Sequence, residues 1–178
     1  IDFETCEPAV ADAMIRTIAW QWEADTVASR QLIAVLSSVV SSSELWAAWQ
    51  RVSDNEVVHA ATYSEIVRMA FKNPDEVLQK ILDMQATFKR LETVAEVFSR
   101  AKKWAVEYRL NPNADMNEVR DSIMLLVVAL FLLERIQFVA SFAVTFTICS
   151  MDLFQPIGKA LQKIAQAERE VHVELDRE

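Results

Sequence analysis

Apolar residues recur at helical spacing along most of the chain, and no segment shows the strict alternation of a half-buried strand. Capping residues and prolines interrupt this pattern and divide the chain into five long predicted helices. The predicted helices run from Pro8 to about Val40, from Glu44 to about Phe71, from Asn73-Pro74 to before Asn111, from about Met116 past Phe146, and from Gln155-Pro156 towards the end. The pattern predicts an all-α fold, a bundle of long helices.

Composition supports this prediction. The chain has one glycine and four prolines, so it has few of the residues that make hairpins and long loops. Apolar residues make up 52% of the chain, which excludes a disordered protein. We expect residues 1–178 to form a single domain. Because the sequence begins at Ile1 and ends inside a charged helical pattern, we also expect flexible N- and C-terminal segments to be missing.

Charge and cysteine usage narrow the class of protein. The net charge of −8 comes without any basic cluster, which argues against a nucleic-acid-binding surface. Cys6 and Cys149 do not form a CxxC pair and are expected to be free thiols in a reducing cytoplasm. We expect no signal peptide. The longest apolar run, 123–133, is too short to span a bilayer and is followed by Glu134 and Arg135, so it predicts a buried helix and no membrane contact.

The two histidines each have an acidic residue on the same helical face. Glu56 and His59 are three positions apart on the second predicted helix, and Glu168 and His172 are four apart on the last. Such pairs also arise by chance in a chain with 26 acidic residues, so they are weak evidence on their own.

Two further carboxylates lie where an acid is unexpected. Glu134 follows eleven apolar residues, and an isolated buried carboxylate would cost several kcal/mol. It could pair with Arg or Lys from another helix, or it could bind a metal ion. Asp25 lies in the middle of the first predicted helix, where Asp is a poor choice unless its side chain has a task. A solvated Asp25 is the alternative.

Together, the predicted helices supply one acid, a Glu/His pair, another acid and a second Glu/His pair. This is the known ligand arrangement of di-iron and di-manganese carboxylate bundles. Oxygen-rich ligands with one imidazole per metal suit iron or manganese better than a structural zinc. The alternative is an exterior of solvated acids with no metal.

At these residues the sequence resembles the small subunit of class I ribonucleotide reductase, a ferritin-like family. Glu56-Val-Val-His59-Ala-Ala-Thr-Tyr63 resembles the family segment in which the radical-storing tyrosine follows the histidine ligand by four residues. Glu134-Arg-Ile-Gln-Phe138-Val-Ala-Ser-Phe142 resembles the segment in which a ligand precedes the phenylalanines of the radical pocket. Ile164 resembles the third apolar residue of that pocket.

The last predicted helix departs from the family pattern. The family has Glu-x-x-His preceded by an Asp, whereas this chain has Glu168-x-x-x-His172 with Ala167 at the Asp position. Arg169 would occupy the ligand position if the spacing were unchanged, which is chemically implausible. We therefore expect Glu168 to be the ligand, with a local π-type widening of the helix. Glu170 is a less favourable substitute.

The resemblance implies a ferritin-like bundle with two iron ions per chain, or a Mn/Fe or Mn/Mn pair. The implied ligands are Asp25, Glu56, His59, Glu134, Glu168 and His172. Dioxygen would oxidise Tyr63 to a stable radical, and a large catalytic subunit would use that radical to reduce ribonucleotides. The family also implies a homodimer. Trp20 and Trp22 lie too near Asp25 to be assigned to the family's electron path. Another ferritin-like carboxylate oxidase or an iron-storage protein is the alternative.

Overall fold

The predicted all-α architecture is confirmed for the part of the chain that the structure describes. The computed structural model describes the backbone of residues 2–175 and the side chains of residues 2–170, except 82, 85–88 and 90. The elements are α1 (Asp2–Thr5), α2 (Pro8–Leu36), α3 (Ser43–Ala70), α4 (Pro74–Leu82), α5 (Gln85–Leu110), α6 (Met116–Leu132), a π-helical segment (Leu133–Phe138), α7 (Val139–Cys149) and α8 (Gln155–Leu175).

Local capping chemistry explains several helix boundaries. The Ser42 side chain caps α3 by accepting a hydrogen bond from the backbone N–H of Leu45. The Asp115 side chain caps α6 by accepting from the N–H of Asn117. Because these interactions lie within a few residues of sequence, the predicted starts agree closely with the observed ones.

Four features differ from the prediction. The predicted third helix is interrupted at Asp83 and Met84, and Met84 is buried where the chain turns from α4 into α5. The widened turn expected in the last helix is wrong, because α8 is α-helical from Gln155–Leu175. A π-helical segment lies instead at Leu133–Phe138, between α6 and α7. The short helix α1 was not predicted.

The central helix α2 packs against α3, α5 and α7, and α8 packs against α3 and α7. α2 and α3 are antiparallel neighbours in which Ser53 Oγ donates a hydrogen bond to the Ser29 carbonyl oxygen at 2.8 Å. The buried positions of both helices recur at alternating steps of three and four residues, as in helical bundles. In α2 they include Met14, Ile18, Gln21, Asp25, Ala28 and Leu32, and in α3 Val52, Glu56, His59, Tyr63 and Ile66.

The apolar run of α6 is less buried than predicted. Together with the π-helical segment and the first residue of α7, its outward face exposes eight large apolar residues: Met124, Leu125, Val127, Val128, Phe131, Leu132, Ile136 and Val139. Within the described residues, Met116–Cys149 is the one helix that is long and apolar enough to cross a membrane, and 33% of its most apolar window is buried. The same helix carries the buried residues Glu134, Phe138 and Phe142, so one of its faces belongs to the core of the bundle.

The only glycine of the sequence lies at a close approach between α7 and α8. A Cβ atom added at Gly158 would meet Cys149 Sγ at 2.7 Å and Cys149 Cβ at 3.3 Å. Both distances are shorter than an ordinary van der Waals contact. The helix pair therefore requires a residue without a side chain at this position.

We predict that Gly158→Ala destabilises the protein by about 1–3 kcal/mol through overpacking, although alanine is the better helix former. Cys149→Ala removes the atom that the new methyl group would strike. The double variant should therefore be more stable than Gly158→Ala alone, as measured by denaturant unfolding. Additive destabilisation by the two substitutions would contradict the proposed clash.

Candidate metal centre

One face of α3 carries three buried polar residues. Glu56, His59 and Tyr63 are 0%, 2% and 0% exposed, and their spacing of three and then four residues places them on the same side of the helix. His59 Nδ1 lies 3.3 Å from Glu56 Oε2, within hydrogen-bonding distance. The sequence prediction that these residues share a face is confirmed.

Two other helices bring a carboxylate to this face. Asp25 of α2 is 0% exposed, and its Oδ2 atom lies 3.9 Å from His59 Nδ1. Glu168 of α8 is 8% exposed, and its Oε1 atom lies 2.7 Å from the same nitrogen. One potential ligand atom from each of Asp25, Glu56, His59 and Glu168 lies within 4.8 Å of the others. This group of four could hold a metal ion, so Asp25 is not a solvated residue.

Glu134 borders the same group from the π-helical segment. Its side chain is 8% exposed. It lines a cavity of about 100 Å³ together with Glu56, and a second, more open cavity of about 430 Å³ together with Glu168. The π-helical segment begins one residue before Glu134. π-Helical turns within α-helices are frequent at functional sites. Glu134 therefore lies at the border of the group of four, where it shares cavities with Glu56 and Glu168.

The electrostatics of the group favour a bound cation. Burial raises the pKa of Asp25 well above its usual value, and the negative charges of Glu56, Glu168 and Glu134 raise it further. Burial alone would lower the pKa of His59, but the carboxylates of Glu168 and Glu56 outweigh it and raise this pKa to about 9. Without metal, the group needs protons to compensate its negative charge. A divalent ion would supply that compensation.

The structure also distinguishes the three acidic or basic candidates of α8. Glu168 is buried in the group, whereas Arg169 and Glu170 are exposed. Glu168 thus reaches the site from a regular α-helix, without a local widening. His172 lies on the same helix, but its side chain is outside the described residues.

Tyr63 lies one helical turn beyond His59 in an apolar core. Its hydroxyl has no hydrogen-bond partner among the described residues. Burial raises the pKa of Tyr63 well above its usual value, and the carboxylates of Asp25, Glu168, Glu56 and Glu134 raise it further. The phenol is therefore protonated at neutral pH and is surrounded by groups that disfavour a phenolate.

The three predicted pocket residues are all buried and belong to the same core cluster as Tyr63. Phe138, Phe142 and Ile164 are 1%, 6% and 3% exposed. The rings of Phe138 and Phe142 are 5.9 Å apart, and Trp20 lies 5.1 Å from Phe138. Trp20 is thus a buried core residue, which the residues next to it in the sequence did not predict.

Sequence analysis missed one polar residue of this core. Gln21 is 0% exposed and lies one turn before Asp25 on the same face of α2. The burial of Gln21 could have been predicted from its place in the helical repeat of α2. That inference requires knowing which face of α2 points into the core.

Comparison with known proteins gives results consistent with this site. Residues 2–175 match the family described as "Ribonucleotide reductase, small chain". The chain is 28% identical over 167 residues to the ribonucleoside-diphosphate reductase subunit beta of Enterobacteria phage T4, covering 82% of this chain and 42% of that protein. It is 22% identical to the corresponding subunit of Buchnera aphidicola subsp. Baizongia pistaciae and 21% identical to ribonucleoside-diphosphate reductase 1 subunit beta of Escherichia coli O157:H7. Both of these alignments cover 94% of this chain and 48% of the relative.

The chain therefore spans about half the length of the curated relatives that it matches. The family match nevertheless extends over nearly all of its residues, including those of the buried carboxylate–histidine group. This chain belongs to the ribonucleotide reductase small-chain family.

Proposed function

We propose that this chain forms the radical-generating centre of a class I ribonucleotide reductase. The observation that carries the proposal is the juxtaposition of the buried group Asp25, Glu56, His59 and Glu168 with Tyr63, one turn further along α3. Membership of the family supports the class of enzyme.

The donor atoms fit two metal ions. Asp25, Glu56 and His59 would hold one ion, and Glu134, Glu168 and His172 the other. Carboxylates with one imidazole per metal suit iron, and also a Mn/Fe or Mn/Mn pair. Ferrous ions held by these residues would activate dioxygen, which is the oxidant. Dioxygen would take one electron from each of the two ions, one electron from Tyr63, whose phenolic proton is released, and a fourth electron from an external reductant. The protein contributes the ligand geometry and a dry surrounding.

The residues around Tyr63 would preserve the radical. Phe138, Phe142 and Ile164 offer no hydrogen-bonding side chain and are almost fully buried. Their packing would keep water and reductants away from the phenoxyl oxygen. An iron-storage protein or a simple carboxylate oxidase needs the metal ligands but not this tyrosine, so the position of Tyr63 favours the reductase.

The radical would act in another protein. We propose a large catalytic subunit as the partner, in which the oxidising equivalent would pass reversibly to a thiol that initiates the reaction. The ribonucleotide would then lose its 2′-hydroxyl as water, with the two electrons of the reduction coming from a dithiol. The relatives are named as ribonucleoside-diphosphate reductases, so we propose diphosphates, with triphosphates as the alternative substrate class.

We further propose that the chain forms a homodimer. The eight exposed apolar residues between Met124 and Val139 form an uncharged stripe on the outside of the bundle, along α6, the π-helical segment and the start of α7. A stripe of this kind is unfavourable in water and is typical of subunit interfaces. A second copy packing helix against helix would cover it.

For metal binding, we expect Glu168→Ala to lose at least one of two ferrous ions, or to bind that ion at least about 10- to 100-fold more weakly than the unaltered protein does. The control is Glu170→Ala, an exposed neighbour that should bind like the unaltered protein. Metal analysis and calorimetric titration measure both. Full binding by Glu168→Ala, or a loss in Glu170→Ala, would show that the ligand of α8 is misassigned.

For the radical, reconstitution of the metal-free protein with ferrous iron and oxygen should give a tyrosyl signal in electron paramagnetic resonance, at most one per chain. Tyr63→Phe should abolish the signal with metal binding intact, because phenylalanine cannot release the phenolic proton. Tyr108→Phe, at an exposed tyrosine, is the matched control. A signal that survives Tyr63→Phe would assign the radical elsewhere.

For the dimer, sedimentation of the unaltered protein should give twice the chain mass. Met124→Glu combined with Val128→Glu should give monomers, since two buried carboxylates on each side would not be compensated. Met69→Glu, at an exposed methionine of α3, should remain dimeric. Dimers of the double variant would place the interface on another face.

A further inference from the structure

Gln21 is the most deeply buried amide side chain described in the bundle. It is 0% exposed, and neither its Nε2 nor its Oε1 atom has a hydrogen-bond partner among the described residues. A buried polar group without a partner destabilises the folded protein, so the few that occur usually have a specific role. The other buried residues of α2, α3 and α8 are mostly apolar or acidic, so a buried amide at this position is unusual.

The register of α2 against α3 is fixed at two points. Asp25 Oδ2 and His59 Nδ1 face each other at 3.9 Å, and Ser53 Oγ bonds to the Ser29 carbonyl oxygen at 2.8 Å. The cavity of about 100 Å³ lies next to this layer and is lined by residues of both helices, among them Ala28, Leu32, Val52 and Glu56. The buried faces of the two helices therefore meet in successive layers.

One more layer brings Gln21 level with Tyr63. Gln21 precedes Asp25 by four residues, and Tyr63 follows His59 by four residues. Because the two helices are antiparallel, both steps advance in the same direction along the bundle. The layer after that pairs Ile18 with Ile66, which are both buried and apolar.

We propose that Gln21 is a positioning residue for Tyr63, whose carboxamide donates a hydrogen bond to the phenol oxygen, directly or through one water molecule. The Tyr63 hydroxyl is as fully buried as the amide and also has no partner among the described residues. One bond would give each of the two groups a hydrogen-bond partner, which an apolar residue cannot do.

An amide suits this position better than another acid or a base. Four carboxylates already surround the phenol, and they oppose any further negative charge. An amide carries no charge in any protonation state and can donate to the oxygen of either the phenol or the neutral radical. It would hold the ring in one orientation without changing the charge balance of the metal ligands.

The consequence for the radical rests on the proposed function, whereas the hydrogen bond itself does not. In the protein reconstituted with ferrous iron and oxygen, deuterium electron–nuclear double resonance after exchange into D₂O should reveal an exchangeable deuteron coupled to the Tyr63 radical. Gln21→Leu should lose this coupling and raise the largest g-value measured at high field. Gln162→Leu, at an exposed glutamine of α8, is the control and should change neither.

The unaltered protein alone can overturn the proposal, since a radical without an exchangeable deuteron would exclude the bond. A coupling that persists in a folded Gln21→Leu protein would exclude Gln21 as the donor. A structural defect alone would lower the radical yield without removing the coupling from the remaining radicals.

A second measurement needs neither metal nor radical. In metal-free protein with ¹³C-labelled tyrosine, Tyr108→Phe leaves Tyr63 as the single labelled phenol. Its Cζ resonance should shift when Gln21→Leu is added, and should not shift when Gln162→Leu is added. A radical-free protein that shows the shift would refute the proposed function and support the bond. An unchanged resonance would overturn the bond whatever the fate of the radical.

Discussion

The rest of the structure depends on the burial of acidic side chains around one imidazole at the centre of the bundle. Asp25 and Glu56 are fully buried, Glu168 is nearly so, and His59 Nδ1 lies within 4 Å of a carboxylate oxygen from each of them. Placing several carboxylates in an apolar core is strongly unfavourable unless positive charge accompanies them. The raised pKa values of Asp25 and His59 express this requirement in the metal-free chain. Long helices meet the requirement because each contributes one or two of these polar residues and spans enough apolar layers to offset the cost.

This constraint also explains where the helical geometry becomes irregular. Glu134 and Phe138 must both face the core, one towards the carboxylates and the other towards Trp20. The π-helical segment between α6 and α7 contains both residues, and its wider turn changes which side chains face inward. The uncharged stripe lies on the opposite side of α6. It arises because α6 carries more apolar residues than the bundle covers, so the remaining apolar side chains are exposed.

The sequence was informative wherever the decisive interaction is local. Glu56 and His59 were found because a spacing of three residues fixes their common face on any helix. Tyr63 was found through the resemblance of the segment that follows His59 to the family segment. The starts of α3 and α6 were found because their caps lie within three residues of sequence. The break between α4 and α5, the exposure of α6 and the burial of Gln21 could not be found in this way. Each depends on which neighbouring helix covers a given face, and the periodicity of one helix does not contain that information.

The expected widening of α8 shows where local reasoning went wrong. Residues three apart and residues four apart both share a face of a regular α-helix. A Glu-x-x-x-His spacing therefore needs no extra residue to aim Glu168 at the core, and α8 remains α-helical while Arg169 and Glu170 face outward. Irregular geometry is needed only where buried residues follow one another by repeated steps of four, because each such step in a regular α-helix turns about 40° away from the shared face. In this chain that occurs around Glu134, since Leu126, Leu130, Glu134, Phe138 and Phe142 are all buried.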